Sequence, residues 1–178
     1  MPRINNFSRG KEIKMQDLTR KILKLLEEDA RYSPKKIAAI LGADEKQVAD
    51  EIEALENSGA IVKYTTIINK EKVVKDLVDA FVEVKVTPQA RKGFEKIAQE
   101  ISAMKEVKSV FLMSGTYDFA VIIEGSTMRD VALFISERLS TIESVVSVAT
   151  HFILKKYKEG DAVLVDFEEG SDRISIHE

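Results

Sequence analysis

The 178-residue sequence contains no cysteine, so it can form neither a disulfide framework nor a thiolate metal site. It has no apolar run long enough to span a bilayer, and the stretch MPRINNFSRGKEIKM lacks the apolar segment of a signal peptide. The two histidines, His151 and His177, have no neighbours in a recognisable catalytic arrangement, and Gly-rich phosphate loops are missing. We therefore expect a cytoplasmic protein with no cofactor, no metal, no membrane contact and no enzymatic activity.

The two ends of the sequence carry opposite charge, although the net charge is only −3. Residues 1–36 contain ten Lys or Arg and five Asp or Glu, whereas the last twenty residues contain seven acids and one base, Arg173. A basic N-terminal end is typical of a nucleic-acid contact, but an ordinary solvated surface has the same composition.

Three helices are predicted in the first third of the chain. From Met15 to Leu26 the apolar residues recur at helical spacing, with Leu18, Ile22, Leu25 and Leu26 on the buried side. The second helix has Ser33 as its N-cap, Pro34 as its first residue and Gly42 as its end, and its predicted buried residues are Ile37, Ile40 and Leu41. Asp44 caps a third helix with the stripe Val48, Ile52 and Leu55.

A strand, AIVKYTTII, follows Gly59 and completes the order helix, short helix, Gly turn, longer helix, strand. This order predicts a winged helix-turn-helix, in which the third helix enters the major groove of double-stranded DNA. A three-helix protein-interaction module has the same outline. The residue types predict that Lys46 and Gln47 contact bases and that Lys35, Lys36 and Lys63 contact phosphates. Asp50 and Glu51 are predicted on the same outer side of the third helix, where they would sit among phosphates unless they accept from cytosine amino groups.

The third helix carries an unexpected charge for this purpose. Between Asp44 and Glu56 there are six acidic residues and one basic residue, Lys46. Phosphate neutralisation dominates DNA affinity, so the affinity has to come from lysines and arginines elsewhere, or from helix N-termini. We expect modest affinity per subunit, raised by oligomerisation.

The second half predicts a four-stranded sheet with two helices. AFVEVKV at Ala80–Val86 alternates as a strand, and a helix follows from Thr87 and Pro88 with Ala90, Phe94, Ile97, Ile101 and Met104 inward. EVKSVFLMSG and YDFAVIIEG are two further strands, a helix capped by Ser126 or Thr127 follows, and SVVSVATHFIL is the last strand. The order βαββαβ predicts a ferredoxin-like antiparallel sheet with both helices on one face, so the fold class is α+β.

The other face of this sheet should also be buried. VFLM and FAVII are apolar at consecutive positions, and the last strand has Val146, Val148 and Phe152 on one side with Ala149 and Ile153 on the other. A large exposed apolar patch is unusual on a soluble monomer. A second copy of the chain is the simplest cover, so we expect a homodimer; the alternative is the chain's own acidic tail.

These two modules together resemble the leucine-responsive regulator (Lrp/AsnC) family of transcription factors. The residues that carry the resemblance are DLTRKILKLLEEDARYSPKKIAAILG, VADEIEALENSGAIVKYTTIIN, AFVEV and VKSVFLMSGTYDFAVII. The resemblance implies dimers or octamers and regulation by a small-molecule effector, usually an amino acid. It places the effector at Ser114, Gly115, Thr116, Tyr117 and Asp118, with Thr150 and His151. Members of the family usually carry arginines on the third helix, where this sequence has none.

The candidate effector residues also have structural interpretations. Gly115 would let a ligand approach the backbone, or would permit a hairpin turn. Asp118 would accept from an α-ammonium group, or would cap the turn, and His151 fits an ordinary strand residue.

The predicted division of the chain is a basic arm at 1–14, a winged helix-turn-helix domain at 15–68, a linker at 69–79, a ligand-sensing and dimerisation domain at 80–158 and an acidic extension at 159–178. In the extension, AVLVDF and RISI are expected to pair as a hairpin.

Two other functions compete with a ligand-responsive transcriptional regulator. One is a metabolic sensor or interaction module that does not bind DNA. The other is an enzyme similar to sirohaem decarboxylases, which need basic and histidine side chains around a tetrapyrrole.

Overall fold

The computed structural model describes residues 6–73, 77–87 and 93–166. The chain folds as two compact units, divided between Thr66 and Ile67. In the described residues, no helix is both long enough and apolar enough to cross a membrane.

The first unit contains three helices around a small core. They are α1 (Asn6–Glu28), α2 (Pro34–Leu41) and α3 (Glu45–Asn57). Ile22 of α1, Ile37 of α2 and Val48 of α3 are fully buried together, as the helical stripes predict. Helix α1 begins nine residues earlier than predicted, because the periodic signal starts only at Leu18.

The turn between α2 and α3 forms as the cap residues predict. The Ser33 hydroxyl accepts from the Lys36 N–H at 3.2 Å, and a carboxylate oxygen of Asp44 accepts from the Gln47 N–H at 3.0 Å. Gly42 ends α2 with φ at 63°, the left-handed conformation that glycine adopts without a steric penalty.

One predicted core residue of α2 is wrong. Ile40 is 51% exposed, whereas Ala38 is buried beside Ile37. At about 100° per residue, Ala38 and Leu41 lie on one side of Ile37 and Ile40 lies on the other, away from the core.

The predicted wing strand after Gly59 is also not observed. Residues 60–69 form no strand in the described chain, and Val62 and Tyr64 are exposed. A β-strand needs a neighbour to accept its backbone hydrogen bonds, and nothing in the described part of the chain pairs with this segment. Its β-forming composition therefore does not produce a strand within one chain.

The second unit contains the predicted four-stranded antiparallel sheet in the order β2-β3-β1-β4. The strands are β1 (Val78–Val86), β2 (Val107–Leu112), β3 (Phe119–Gly125) and β4 (Val145–Phe152). Helix α4 (Gly93–Ser102) packs on β2, and α5 (Met128–Phe134) packs on β3 and continues as a π-helical turn, Ile135–Leu139. The prediction for Pro88 and Ala90 falls outside the described residues.

The core of this unit lies between the helices and one face of the sheet. Val82, Val121 and Ile101 are fully buried there, and Phe94 packs edge-on against Phe119 with ring centroids 5.9 Å apart. Strand β1 is central, pairing with β3 on one side and with β4 on the other. Its buried residues alternate, because successive side chains of a strand point to opposite faces.

The face of the sheet away from the helices is the open face. Alternation places on it the residues Asp79, Phe81, Glu83 and Lys85 of β1, Ser109 and Phe111 of β2, Ala120, Ile122 and Glu124 of β3, and Ser147, Ala149 and His151 of β4. Phe111 is 54% exposed. The open face is thus a mixture of aromatic, aliphatic and charged residues, less apolar than the sequence predicts.

Val146 departs from its predicted position. It is 62% exposed, although Val148 and Phe152 pack against the core as expected. The pairing of β1 with β4 shifts register between Lys85, which faces Ser147, and Val86, which faces Val145. Val146 is therefore the extra residue of a β-bulge.

The C-terminal extension forms a short hairpin, but with different partners from those predicted. β5 (Lys158–Glu159) pairs with β6 (Ala162–Val163) across Gly160, whose φ is 55°. The predicted partner, RISI, lies outside the described residues. The Lys156 ammonium group lies 2.7 Å from the Asp79 carboxylate, and the Asn69 side chain donates to the Leu164 carbonyl, so the extension is attached to the start of the sheet unit.

Candidate DNA-binding and effector-binding surfaces

The outer side of α3 presents three of the predicted DNA-contacting residues. Lys46, Gln47 and Asp50 are all exposed, and Val48 between them is buried in the core. The Lys46 ammonium group lies 2.6 Å from the Asp50 carboxylate. This hydrogen bond raises the pKa of Lys46. The N-terminal half of α3 thus offers hydrogen-bond donors and acceptors side by side.

Several of the acids that make α3 so negative are engaged within the unit. The Thr19 hydroxyl of α1 donates to the Glu51 carboxylate, and the Tyr64 hydroxyl donates to Glu56 at 2.7 Å. Asp44 is occupied as the N-cap. Glu51, predicted to lie on the outer side, is half-buried instead. Hydrogen bonds within the unit therefore hold these three carboxylates in place, while Asp44 and Glu56 stay exposed to solvent.

The predicted phosphate-contacting lysines lie on two segments. Lys35 and Lys36 are exposed in the first turn of α2, and the Lys36 ammonium group lies 3.9 Å from the centre of the Tyr32 ring. Lys63 is exposed in the extended segment after α3. On α1, Asp17 pairs with both Arg20 and Lys21, and this contact lowers its pKa.

The turn between β2 and β3 contains five of the seven predicted effector residues, and Asp118 has a structural role in it. A carboxylate oxygen of Asp118 accepts from the Val86 N–H at 2.8 Å, and its own N–H donates to the Val84 carbonyl at 3.0 Å. Val86 is the residue at which the register shifts, so Asp118 satisfies a backbone donor at the bulge. The side chain fixes the turn against β1.

The first part of this turn is exposed. Ser114, Gly115 and Thr116 are all open to solvent. Gly115 does not have a positive φ, and a Cβ at this position would meet no atom within 4 Å. Neither the turn conformation nor packing in the described residues therefore requires a glycine at this position.

The side chain of Phe81 connects two of the predicted effector residues. Its ring centroid lies 6.2 Å from that of Tyr117 and 5.9 Å from that of His151. His151 Nε2 lies 3.3 Å from the Glu83 carboxylate. Sequence reasoning missed Phe81 and Glu83, although their alternation with the buried Val82 and Val84 places them on the open face.

Thr150 does not join this cluster. It faces Val82 and points toward the helices, whereas His151 faces Phe81 and points to the open face. The turn lies beside Val84, near the end of β1, whereas the end of β4 lies beside Ala80. Val84 and Ala80 are four residues apart along β1, which is about 13 Å. The side chain of Phe81 lies between these two predicted parts of the effector site.

A cleft of about 320 Å³ lies at the other end of the sheet unit. Aliphatic side chains and charged groups both line it: Ile68, Asn69, Lys70, Glu71, Leu77, Asp79, Ile153, Leu154, Lys155, Lys156, Glu159 and Leu164. Burial acts to lower the pKa of Lys156, but its hydrogen bond with Asp79 raises it, and the net shift is upward. The lining residues come from separate segments of the chain, so no short motif could have indicated the cleft.

Both units match known families. Residues 79–163 match the family described as "Lrp/AsnC ligand binding domain". Residues 15–62 match the family described as "Winged helix-turn-helix DNA-binding". YugG of Bacillus subtilis (strain 168), an uncharacterized HTH-type transcriptional regulator, is 43% identical over 161 residues, which cover 90% of this chain and 95% of YugG. The proline dehydrogenase transcriptional activator of Rhizobium radiobacter is 26% identical over 139 residues, which cover 78% of this chain and 88% of that protein.

Solved structures share the fold. PH0061 has a TM-score of 0.69 at 25% identity, covering 89% of this chain and 98% of PH0061. NMB0573 from Neisseria meningitidis, solved with L-Met, has a TM-score of 0.65 at 22% identity, covering 80% of this chain and 91% of its own. The helix-turn-helix unit and the sheet unit together define a transcriptional regulator with a ligand-binding domain. The chain belongs to the Lrp/AsnC family, as the sequence motifs predict.

Proposed function

We propose that this regulator contacts double-stranded DNA through the N-terminal turns of α3. The observation that carries the proposal is the exposure of Lys46, Gln47 and Asp50 on a helix that is anchored by the buried Val48. In a helix-turn-helix this part of the helix lies nearest the base edges. Lys35 and Lys36, at the N-terminus of α2, and Lys63 supply the phosphate contacts.

Fluorescence anisotropy with promoter DNA at stepped salt concentrations tests this assignment. The logarithm of the affinity should fall steeply with the logarithm of the salt concentration, because phosphate contacts release counterions. Replacing Lys35 and Lys36 by Ala should weaken binding to all sequences and flatten the slope, whereas Lys46→Ala or Gln47→Ala should relax sequence preference. Identical behaviour of the two pairs of variants would show that the groove assignment is wrong.

A sensor of the same fold that does not bind DNA is the second candidate. The observation that favours it is the acidic composition of residues 44–56. In that case α3 meets a basic protein surface, and DNA binding is absent at every salt concentration and sequence. The salt titration therefore separates the two functions.

We also propose that two copies pair through the open face of the sheet. Phe81, Phe111 and Ile122 supply apolar area to that face, and Glu83 and His151 supply polar partners. Such a dimer would hold two DNA-binding units together, and an octamer would hold eight.

The proposed roles of the domains follow the predicted division of the chain. Residues 15–68 bind DNA, and residues 80–158 sense the effector and dimerise. The protein then acts in the cytoplasm and without catalysis.

Sedimentation analysis at micromolar concentration tests the dimer. Burying a whole Phe side chain contributes roughly 1.5–3 kcal/mol, and about half of Phe111 is left to be buried by a partner. A two-fold interface contains two copies, so Phe111→Glu should weaken association by roughly 10- to 100-fold or more. Val163→Glu is the matched control, because Val163 is similarly exposed but lies in the C-terminal hairpin. A wild-type chain that stays monomeric would contradict the proposal.

The effector that we propose is an amino acid bound at the turn Ser114–Asp118 and beside Tyr117, with a second copy completing the site. The open space above Gly115 supports this location. NMB0573, which shares the fold, was solved with L-Met, so amino acids are the first compounds to test. A thermal-shift screen should show a higher melting temperature with the effector, because a ligand that binds only the folded state stabilises it.

A further inference from the structure

The ion pair between Lys46 and Asp50 lies on an exposed side of α3. Its side chains are 81% and 60% exposed, and its Nζ and Oδ2 atoms are 2.6 Å apart. An exposed pair one helical turn apart adds little to the stability of a helix. The pair is also electrically neutral as a whole, so it approaches DNA without the repulsion that a lone carboxylate would meet.

Asp50 differs in this respect from other acids of the same segment. Asp44 caps α3, Glu51 accepts from Thr19, and Glu56 accepts from Tyr64, so each of these carboxylates has a partner that holds the unit together. The partner of Asp50 is instead a residue that is itself positioned to contact bases. The two side chains therefore approach a groove as one group.

The spacing of this group matches the edge of one base pair. In the major groove a G·C pair presents the acceptors N7 and O6 on guanine beside the amino donor N4 on cytosine. Guanine O6 and cytosine N4 are hydrogen-bonded to each other at about 2.9 Å. In the free protein the Lys46 ammonium group and the Asp50 carboxylate are 2.6 Å apart. If the ammonium group lies over O6 and the carboxylate over N4, the four groups form a ring in which hydrogen-bond donors and acceptors alternate.

We infer that Lys46 and Asp50 read a single G·C base pair as a unit, with the Lys46 ammonium group on guanine and the Asp50 carboxylate on the cytosine amino group. The inference rests on the proposed DNA contact of α3 and adds the identity of the base pair. Lys46 has three donors, so one can remain on Asp50 while the others bind O6 and N7. Thymine in place of cytosine brings the acceptor O4 next to the carboxylate, and guanine in place of cytosine brings the acceptor O6 there. A T·A pair keeps an acceptor under Lys46 and an amino donor under Asp50, but it has a methyl group where guanine has the acceptor N7.

The experiment is a selection from randomised duplexes, followed by affinity measurements on four duplexes that differ only at the selected G·C position. Wild-type protein should prefer G·C over A·T and C·G by about 10- to 100-fold, and over T·A by a smaller factor, because T·A lacks only the N7 acceptor. Asp50→Ala should reduce this preference to below about 3-fold and should raise affinity for unrelated DNA, because one negative charge is removed. Lys46→Ala should lose preference at the same position.

Glu53→Gln is the matched control, since Glu53 is an exposed acid one turn further along α3. It should raise affinity for all four duplexes equally and leave the preference unchanged. The double variant of Lys46 and Asp50 should show no further loss of preference beyond the single variants. If the two side chains read the base pair together, removing either one already abolishes the recognition.

Two results would overturn the inference. If Asp50→Ala behaves like Glu53→Gln, Asp50 lies near phosphates and reads no base. If the effects of Lys46→Ala and Asp50→Ala on preference are additive, the two residues act separately. Both results leave the proposed DNA contact intact, whereas a wild-type protein that selects no DNA sequence overturns the proposed function as well. Far-UV circular dichroism of each variant verifies that the fold is retained.

Discussion

Asp118 allows the structural and ligand-binding interpretations of the β2–β3 turn to be separated. Its carboxylate accepts the Val86 N–H at the bulge, and Val86 is only 6% exposed. Asp118→Ala removes the acceptor and leaves a buried backbone donor unsatisfied, which costs about 1–3 kcal/mol. For a domain of this size each kcal/mol corresponds to roughly 4–8 °C, so the melting temperature should fall by roughly 5–20 °C.

Asp118→Asn is the informative partner variant, because its amide oxygen can accept the same hydrogen bond. Charged acceptors form bonds about twice as strong as neutral ones, so the Asn variant should retain about half of the lost stability. It cannot supply a negative charge to an ammonium group, so the proposed amino-acid effector should no longer raise its melting temperature.

Urea unfolding followed by circular dichroism, combined with thermal shifts in the presence of amino acids, measures both effects. An Ala variant that unfolds at the wild-type urea concentration would refute the role of the Val86 hydrogen bond. An Asn variant that keeps its full response to the effector would refute the ammonium contact, and Asp118 would then be a structural residue alone.

Two further predictions concern stability. Gly42→Ala should lower the free energy of unfolding of the first unit by about 1 kcal/mol, measured by urea unfolding. No atom would crowd the new Cβ, but alanine is strained at a φ of 63°. Gly42→Asn should lower the free energy of unfolding less, because asparagine adopts this conformation more readily. A hydrogen bond with Lys70, and a second with Lys108, lower the pKa of Glu124 below the usual carboxyl value of 4.5. These contacts therefore stabilise the fold above pH 4.5, and this stabilisation is lost as the pH falls below 4.5. Glu124→Gln should therefore lower the melting temperature at pH 7 and flatten its decline between pH 5 and 3; parallel curves for the two proteins would contradict this reasoning.

The fold was largely predictable because its signals are local. Caps such as Ser33 and Asp44, and the buried alternation of β1, identify elements from a few neighbouring residues. The failures have a different origin. AIVKYTTII has the composition of a strand, but strand formation depends on a partner that the described chain does not provide. Ile40 is apolar, but the direction of a short helix face is decided by packing against α1 and α3.

The candidate sites were predicted less completely, because they depend on contacts between distant segments. The sequence places Asp118 in a turn, but the bulge at Val86 that occupies its carboxylate results from the pairing of β1 with β4. Thr150 and His151 are adjacent in sequence and therefore point to opposite faces of the sheet. Phe81 joins Tyr117 to His151 only after three strands have assembled.

The scarcity of cations on α3, whose one base, Lys46, is paired with Asp50, has a consequence for how the protein would search a chromosome. A DNA-reading helix with few cations attracts random duplex weakly, and random duplex is the main competitor for any regulator because genomes contain so many sites of it. We expect short residence on such DNA and rapid release. Occupancy would then concentrate where several subunits of one assembly find their sites together.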